Sequence, residues 1–161
     1  MAMEVIRVAI ADGAVARASD RLRTTGLGSC VGVVLFESRS GLSGMVHVML
    51  PNAPAAGTDR PTKYADVGVD WLVDQLHKAG AKPSQLRAKI AGGAQMFNTQ
   101  STNDVLRVGP RNVDAVLNSL NRLEIPLLAA DTGGSVGRTI EFDPETETLW
   151  VRTAFKGQYG I

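Results

Sequence analysis

The sequence has very few metal-binding and redox-active side chains: one cysteine, Cys30, and two histidines, His47 and His77. A single cysteine excludes an internal disulfide, which is typical of proteins in a reducing compartment. Zinc ribbons and iron–sulfur clusters are excluded as well, because they need several thiolates. Without an H-E-x-x-H motif, a histidine-rich metal site is not expected. These absences predict a cytoplasmic protein without a bound metal.

A charge excess and a long apolar run are also missing. Seventeen Lys and Arg residues against sixteen Asp and Glu residues leave a formal net charge of +1. Nucleic-acid binding requires a concentrated basic surface, so nucleic acid is not an expected partner. No apolar run approaches the roughly 20 residues that span a bilayer, and the first residues do not resemble a secretory signal. We therefore expect no membrane insertion.

Two short patterns suggest ligand sites that we do not expect to form. Asp66, Asp70 and Asp74 recur every four residues and share one face of a predicted helix. Their oxygens suit a cation, but acidic stripes on helices are usually solvated. The Gly-Leu-Gly at 26–28 resembles a dinucleotide loop, yet position 31 is valine and the segment leads into a strand. Neither a metal nor a nucleotide cofactor is expected.

Short valine-rich runs and two longer amphipathic segments predict a mixed α+β protein of the α/β class. One helix covers 64–79 and ends at Gly80. A second helix follows Pro110 and has an apolar face of Val113, Val116, Leu117, Leu120 and Leu123. Strands are predicted at 4–10, 30–37, 44–50, 86–90, 127–130, 139–142 and 148–153. The 161 residues fit one domain, 1–161, a layered sandwich with helices packed on one side of β structure.

The segment 24–30, Thr-Thr-Gly-Leu-Gly-Ser-Cys, holds the residues best suited to catalysis. Its two glycines let the backbone turn sharply and present successive N–H groups near the Cys30 thiol. The amides of Gly28 and Ser29 are therefore candidates to bind the oxyanion formed when a thiolate attacks a carbonyl. A thiol with a pKa near 8.5 is only slightly ionised at neutral pH, so it needs a base, for which His47 is the candidate.

Strand register tests whether Cys30 and His47 can meet. If a two- or four-residue loop centres on positions 39 and 40, facing residue numbers sum to 79 and Cys30 faces Met49. His47 is then the diagonal neighbour of Cys30 on the same face, about 7–8 Å away at the backbone. A three-residue loop would put them on opposite faces. Because unpaired cysteine is also among the most buried residue types, the residues alone leave a structural role for Cys30 open.

Six segments together resemble the CheD family of chemoreceptor glutamine deamidases. They are TTGLGSCVGVVLFE (24–37), GMVHVMLP (44–51), KYAD (63–66), KIAGGAQMF (89–97), VGPRN (108–112) and LLAADTGG (127–134). The resemblance covers nearly the whole chain. It implies a sandwich fold similar to that of bacterial deamidating toxins and a catalytic set of Thr24, Cys30 and His47. In that set, Thr24 orients the imidazole.

The same resemblance implies that the protein converts glutamine side chains of methyl-accepting chemotaxis receptors to glutamate, without a cofactor. Cys30 would attack the carboxamide with His47 as base, ammonia would leave, and water would hydrolyse the thioester. The receptors and the phosphatase CheC are the implied partners. Two alternatives stay open: an adaptor that binds receptors or CheC without turnover, and another thiol enzyme such as a protease or transglutaminase.

Overall fold

The computed structural model describes residues 2–96 and 107–161. Within these ranges, ten strands form two five-stranded sheets, accompanied by two long helices. The strands are β1 Val5–Arg7, β2 Gly13–Ala16, β3 Arg21–Leu27, β4 Val31–Glu37, β5 Leu42–Val48, β6 Arg87–Gly92, β7 Leu127–Thr132, β8 Arg138–Asp143, β9 Thr148–Thr153 and β10 Gly157–Gly160. The helices are α1 Ala65–Ala79 and α2 Val108–Arg122, with short 3-10 turns at Pro61–Lys63 and Pro83–Gln85.

The two sheets stack face to face, and both helices cover the outer face of one of them. Sheet A has the strand order β1-β3-β8-β9-β10, and sheet B has the order β2-β5-β4-β6-β7. One hydrophobic core lies between the sheets, and a second lies between sheet B and the helices. The predicted α+β sandwich with helices on one side is therefore confirmed.

The two central strands of sheet B are buried at every position because the sheet is covered on both faces. Alternate residues of β4 contribute to different cores. Val33 and Leu35 belong to the core beneath the helices, whereas Val34 and Phe36 belong to the core between the sheets. This alternation explains why β4 and β5 read as continuous apolar runs in the sequence.

The hairpin of β4 and β5 has the predicted register. Gly32 pairs with His47, and Glu37 pairs with Leu42, so facing residue numbers sum to 79. The connecting loop consists of the four residues 38–41, and four is one of the two loop lengths that give this register. Cys30 immediately precedes β4 and lies two positions before Gly32, the residue that pairs with His47. Because side chains alternate along a strand, Cys30 lies on the same side of the hairpin as His47.

The predicted helices exist, but the second differs in its start and its buried face. Helix α1 ends at Gly80, whose φ of 117° is the left-handed conformation predicted for that glycine. Helix α2 starts at Val108, which leaves Pro110 in the first turn, where its missing N–H is not needed. Leu117 is 37% exposed, contrary to the prediction, because the helix turns Asn112 inward with Val116.

Three strands were not predicted from the sequence. Strand β2 begins at Gly13 and pairs with β5, and β10 is a short polar strand that pairs with β9. Strand β3 continues through Gly26, which has a φ of 73° and lies where the pairing with β8 shifts register between Thr24 and Leu27. Such a bulge lets a strand pass through a glycine that the sequence pattern assigns to a turn. The predicted strand 4–10 shortens to Val5–Arg7.

The acidic face of α1 is occupied by contacts within the protein. Asp70 accepts hydrogen bonds from Arg122 at 3.0 and 3.1 Å, and the Asp74 carboxylate lies 2.9 Å from the Lys78 ammonium. Asp66 accepts a hydrogen bond from the Ala53 N–H at 3.0 Å. Across residues 2–96 and 107–161, no group of three His, Cys, Asp or Glu residues is placed to hold a metal ion. Neither helix is long and apolar enough to cross a membrane, a finding that concerns only the described part of the chain.

Candidate active site

Cys30 lines a surface pocket of about 400 Å³. Its walls come from the glycine-rich segment before β4, the loop after β6 and the start of α2: Gly26, Gly28, Ser29, Cys30, Ala94, Gln95, Met96, Val108 and Gly109. Cys30 is 8% exposed, so the pocket reaches a thiol that is largely desolvated. This burial raises the pKa of Cys30 above its ordinary value, against the opposing effect of its own backbone N–H. The thiol is therefore neutral at pH 7 and needs a base.

His47 lies on β5 with its side chain completely buried between the two sheets. Its paired neighbour on β4 is Gly32, which contributes no side chain to the space beside the imidazole. Burial lowers the pKa of His47 to about 4, because the charged form loses its hydration. The imidazole is therefore neutral at pH 7, the state in which it can accept a proton.

A hydrogen bond across the sandwich connects His47 to Thr24. The Thr24 Oγ1 lies 2.7 Å from Nδ1 of His47 and donates to the carbonyl of Val8 at 2.7 Å. A hydroxyl has one proton, and here that proton goes to Val8, so Thr24 must accept the second bond from Nδ1–H. This hydrogen-bond network assigns the tautomer of His47: Nδ1 carries the proton and Nε2 carries the lone pair.

Nε2, the unprotonated nitrogen of His47, has no hydrogen-bond partner in the described part of the chain that would compete with the Cys30 thiol. Nε2 of His47 is buried and makes no hydrogen bond with any residue in the two described ranges. Since this includes Cys30, the thiol and the imidazole lie on the same side of the hairpin without being hydrogen-bonded. Catalytic contacts are often open in the absence of substrate and tighten when substrate binds.

Thr24, rather than its neighbour Thr25, faces His47. Thr24 is 2% exposed within the core, whereas Thr25 is exposed on the surface. Adjacent residues of a strand point to opposite faces, so only one of the two hydroxyls can reach the imidazole. The structure thus brings Thr24 into contact with His47 and places Cys30 on the same side of the β4–β5 hairpin as His47.

The backbone carbonyls around Cys30 are all held by donors from neighbouring segments. The Gly28 carbonyl accepts from the Ala94 N–H at 2.8 Å, and the Cys30 carbonyl accepts from the Gly93 N–H at 2.8 Å. Between them, the Ser29 carbonyl accepts from the side-chain Nδ2 of Asn112 at 2.9 Å.

The N–H groups of the same segment are largely free. The N–H of Gly28 donates to the Gly26 carbonyl at 3.1 Å, so this oxyanion candidate is already paired. The N–H groups of Ser29 and Cys30 donate to no other residue in the described ranges. Two consecutive amides beside the thiol are therefore available to a ligand.

Glycines allow the end of β6 and the loop that follows it to pack against the backbone of Cys30. Gly92 has a φ of 117°, and a Cβ at this position would lie 2.3 Å from the Cys30 carbonyl oxygen. A Cβ on Gly109 of α2 would lie 2.2 Å from the Ala94 carbonyl oxygen. Backbone therefore packs directly on backbone on this side of the pocket, and no side chain fits at either glycine.

Sequence reasoning overlooked Asn112, a completely buried residue of α2 that donates to the Ser29 carbonyl beside Cys30. The residue ends the matched segment VGPRN, but no role followed from that match. Its spacing was the available signal, because Asn112 lies four and eight residues before Val116 and Leu120, two buried positions of the same helix. Phe97, the last residue of another matched segment, lies outside the described residues.

Comparisons with known proteins converge on one family. Residues 49–153 match the model of the family described as CheD chemotactic sensory transduction. The chain is 48% identical over 159 residues to the chemoreceptor glutamine deamidase CheD of Bacillus velezensis, covering 98% of this chain and 96% of that protein. The Bacillus subtilis protein of the same name is 47% identical with the same coverage. That of Halalkalibacterium halodurans is 49% identical over 161 residues, covering 98% and 99%.

Proposed function

The chain belongs to the CheD family, and from this membership we propose that it deamidates glutamine side chains of methyl-accepting chemotaxis receptors in the cytoplasm. Cys30 is the nucleophile, His47 is the base, and Thr24 holds the imidazole. The observation that carries the proposal is the hydrogen bond between Thr24 and Nδ1 of His47. It leaves Nε2 as a free proton acceptor on the side of the hairpin that Cys30 shares.

The reaction starts from two neutral groups. Burial raises the pKa of Cys30 and lowers the pKa of His47 to about 4, so a resting thiolate–imidazolium pair is disfavoured. The proton therefore moves from the thiol to Nε2 as the sulfur attacks the carboxamide carbon of the substrate glutamine. A sulfur–carbon bond forms, and the carbonyl oxygen becomes an oxyanion.

The free N–H groups of Ser29 and Cys30 supply hydrogen bonds to that oxyanion. As the tetrahedral intermediate collapses, the carbon–nitrogen bond breaks, and Nε2–H of His47 protonates the departing amine, which leaves as ammonia. Throughout, Nδ1–H of His47 donates to Thr24, which steadies the imidazolium while it carries the extra proton. The product of this half-reaction is a thioester between Cys30 and the glutamine acyl group.

Water completes the cycle without a cofactor. His47 takes a proton from water as the water oxygen attacks the thioester, then returns the proton to the sulfur as the carbon–sulfur bond breaks. The receptor gains a glutamate, and Cys30 is regenerated as a thiol. The net change at each site is the replacement of NH₂ by OH.

Mass spectrometry of a receptor cytoplasmic fragment tests this proposal. Incubation with the wild-type protein should add about 1 Da per converted glutamine without cleaving the chain, because acyl transfer to water exchanges NH₂ for OH. The folded Cys30→Ala variant should add nothing. Turnover by purified Cys30→Ala, or an unchanged fragment after incubation with the wild type, would refute the assignment.

The same experiment separates the alternative functions. A protease would shorten the fragment, and a transglutaminase would add the mass of an amine supplied in the reaction. An adaptor would bind the fragment, or the phosphatase CheC proposed as a partner, without changing any mass. Co-purification of CheC with wild type and Cys30→Ala alike would show that partner binding is independent of turnover.

A further inference from the structure

We propose that Asn112 is a positioning residue that aims the oxyanion-binding amides of the active site. The inference rests on the proposed deamidation, since it concerns the amides that receive the oxyanion. Asn112 is 0% exposed. Its Nδ2 donates two hydrogen bonds of 2.9 Å each, to the carbonyls of Ser29 and Met49. Only the NH₂ end of an amide can face two carbonyl oxygens, so the orientation of this side chain is determined by its partners.

The bond from Asn112 to Ser29 fixes the direction of the Cys30 N–H. The carbonyl of Ser29 and the N–H of Cys30 belong to one planar trans peptide, in which the two groups point in opposite directions. When Asn112 holds the carbonyl, the N–H of Cys30 is held pointing to the opposite side. The Ala94 N–H holds the preceding peptide in the same way, through the Gly28 carbonyl, and so directs the N–H of Ser29.

The bond from Asn112 to Met49 links this peptide to the strand of the base. Met49 follows β5 and lies two residues after His47. One buried side chain therefore ties the segment of the nucleophile to the segment of the base. Helix α2 has little freedom to shift, because its Gly109 backbone packs against the Ala94 carbonyl with no room for a Cβ. Asn112 thus links three parts of the fold with little freedom to move: helix α2, the segment before β4 and the end of β5.

Substitution of Asn112 by aspartate tests the proposal. Asn112→Asp replaces the donating NH₂ by an oxygen that faces two carbonyls, so it should release the Ser29–Cys30 peptide. We expect kcat for the receptor fragment to fall about 100- to 1000-fold, the loss typical of one oxyanion donor, with KM changed less than about 3-fold. Asn118→Asp adds the same charge on the exposed face of the same helix and should keep the wild-type kcat.

Alkylation of Cys30 by iodoacetamide distinguishes positioning of the amides from general damage. Alkylation displaces iodide at a saturated carbon and forms no oxyanion, so its rate and pH profile should match those of the wild type. Asn112→Ser, which keeps a smaller donor, should show a smaller loss of kcat with unchanged alkylation, and it decides the question if the aspartate variant does not fold. Melting temperatures are recorded for all three variants.

Two results would overturn the proposal. Wild-type kcat in Asn112→Ser or in folded Asn112→Asp would show that the amides do not depend on Asn112. Alkylation that slows in proportion to kcat would show that Asn112 positions the thiol or maintains the fold instead. Failure of the wild-type protein to deamidate the fragment is a different outcome, because it would refute the proposed function itself.

Discussion

The hydroxyl of Thr24 has one proton, and its destination decides which nitrogen of His47 is free to accept a proton. Because the proton is given to the Val8 carbonyl, the hydroxyl can only accept from the imidazole. The Val8 carbonyl thus determines the tautomer of His47 indirectly, through the hydrogen bonds from Thr24 to Val8 and from His47 to Thr24. A threonine without that acceptor could donate to Nδ1 and place the imidazole proton on Nε2, the wrong nitrogen for a base.

Substitution of Thr24 by valine should therefore reduce turnover more than stability. Thr24→Val keeps the shape of the side chain but removes the acceptor for Nδ1–H. We expect kcat to fall about 10- to 100-fold, part of the 10²- to 10⁴-fold that a positioned base contributes. The free energy of unfolding should fall by about 1 kcal/mol for the lost hydrogen bonds. Kinetics on the receptor fragment and urea unfolding measure the two effects.

Thr25→Val is the matched control, because Thr25 is adjacent but exposed. It should leave kcat and stability close to those of the wild type. A larger rate loss in Thr25→Val than in Thr24→Val would mean that the threonine of the family's catalytic set is Thr25. Full activity in both variants would reduce the site to Cys30 and His47.

At the scale of single residues, the sequence predicted the groups that are proposed to react but missed Asn112, which donates to the Ser29 carbonyl beside Cys30. Cys30 and His47 were singled out because thiols and imidazoles are scarce in this chain, and Thr24 came from the family resemblance. Asn112 has no reactive group, and its importance depends on two carbonyls 83 and 63 residues away in sequence. Such a contact becomes visible only when the tertiary structure is known.

At the scale of secondary-structure elements, predictability depended on how local the determining contacts are. The register of β4 and β5 follows from a four-residue loop and from apolar patterning, both visible in a short stretch of sequence. Strand β3 was missed because Gly26 sits inside it at a φ of 73°. That bulge is stabilised by pairing with β8, more than 100 residues away, so no local pattern announces it.

Gly92 at the end of β6 and Gly133 just after β7 should differ in how well they tolerate substitution by alanine. Gly92 and Gly133 both have positive φ values, 117° and 84°, so alanine at either position costs about 1–2 kcal/mol of backbone strain. Only at Gly92 would the new Cβ also collide with the Cys30 carbonyl oxygen, at 2.3 Å; at Gly133 nothing lies within 4 Å. Gly92→Ala should therefore lower the free energy of unfolding clearly more than Gly133→Ala.

Urea unfolding of the two glycine variants and their deamidation rates check this prediction. Gly92→Ala should also lose turnover, because relief of the collision has to move the peptide that carries the nucleophile. Gly133→Ala is expected to keep most of its turnover. Equal stability losses in the two variants would show that the end of β6 can move away from Cys30 without cost.

At the scale of the whole molecule, His47, the proposed base, lies in the core that joins the two sheets, and its burial links its protonation to the stability of the fold. Burial lowers the pKa of His47 to about 4 from an ordinary value of 6.5. Between these two pH values, His47 is protonated in the unfolded chain but neutral in the folded protein. Folding is therefore disfavoured progressively as the pH falls from 6.5 towards 4, and below that range both states are protonated and the effect stops growing.

The stability of the wild-type protein should thus depend on pH through His47. Between pH 7 and pH 4.5, this residue should account for about 2–3 kcal/mol of the lost free energy of unfolding, given about 1.4 kcal/mol per pKa unit. The contribution is measured as the difference between wild type and His47→Gln in urea unfolding at the two pH values. Carboxylates titrate equally in both proteins and cancel from the comparison.

His77→Gln, at the exposed histidine of α1, is the control for the substitution itself. If His47→Gln loses as much stability on acidification as the wild type, the imidazole is not excluded from protonation in the folded state. In that case the neutral starting state of the proposed reaction would need revision.

The bond between Thr24 and His47 joins two sheets, and this has a consequence for how activity arises during biosynthesis. The β4–β5 hairpin closes over a short loop and can form early. Thr24 reaches His47 only after sheet A has docked on sheet B, and sheet A needs β3 to pair with β8, more than 100 residues away; such distant contacts form late. A partly folded chain then holds Cys30 and His47, the proposed nucleophile and base, but lacks the hydrogen bond that sets the tautomer of His47. In refolding experiments, deamidation should return after the far-ultraviolet circular dichroism signal has recovered; recovery of both at one rate would contradict this order. On the proposed mechanism, a newly made chain gains its deamidase activity only when its last folding step is complete.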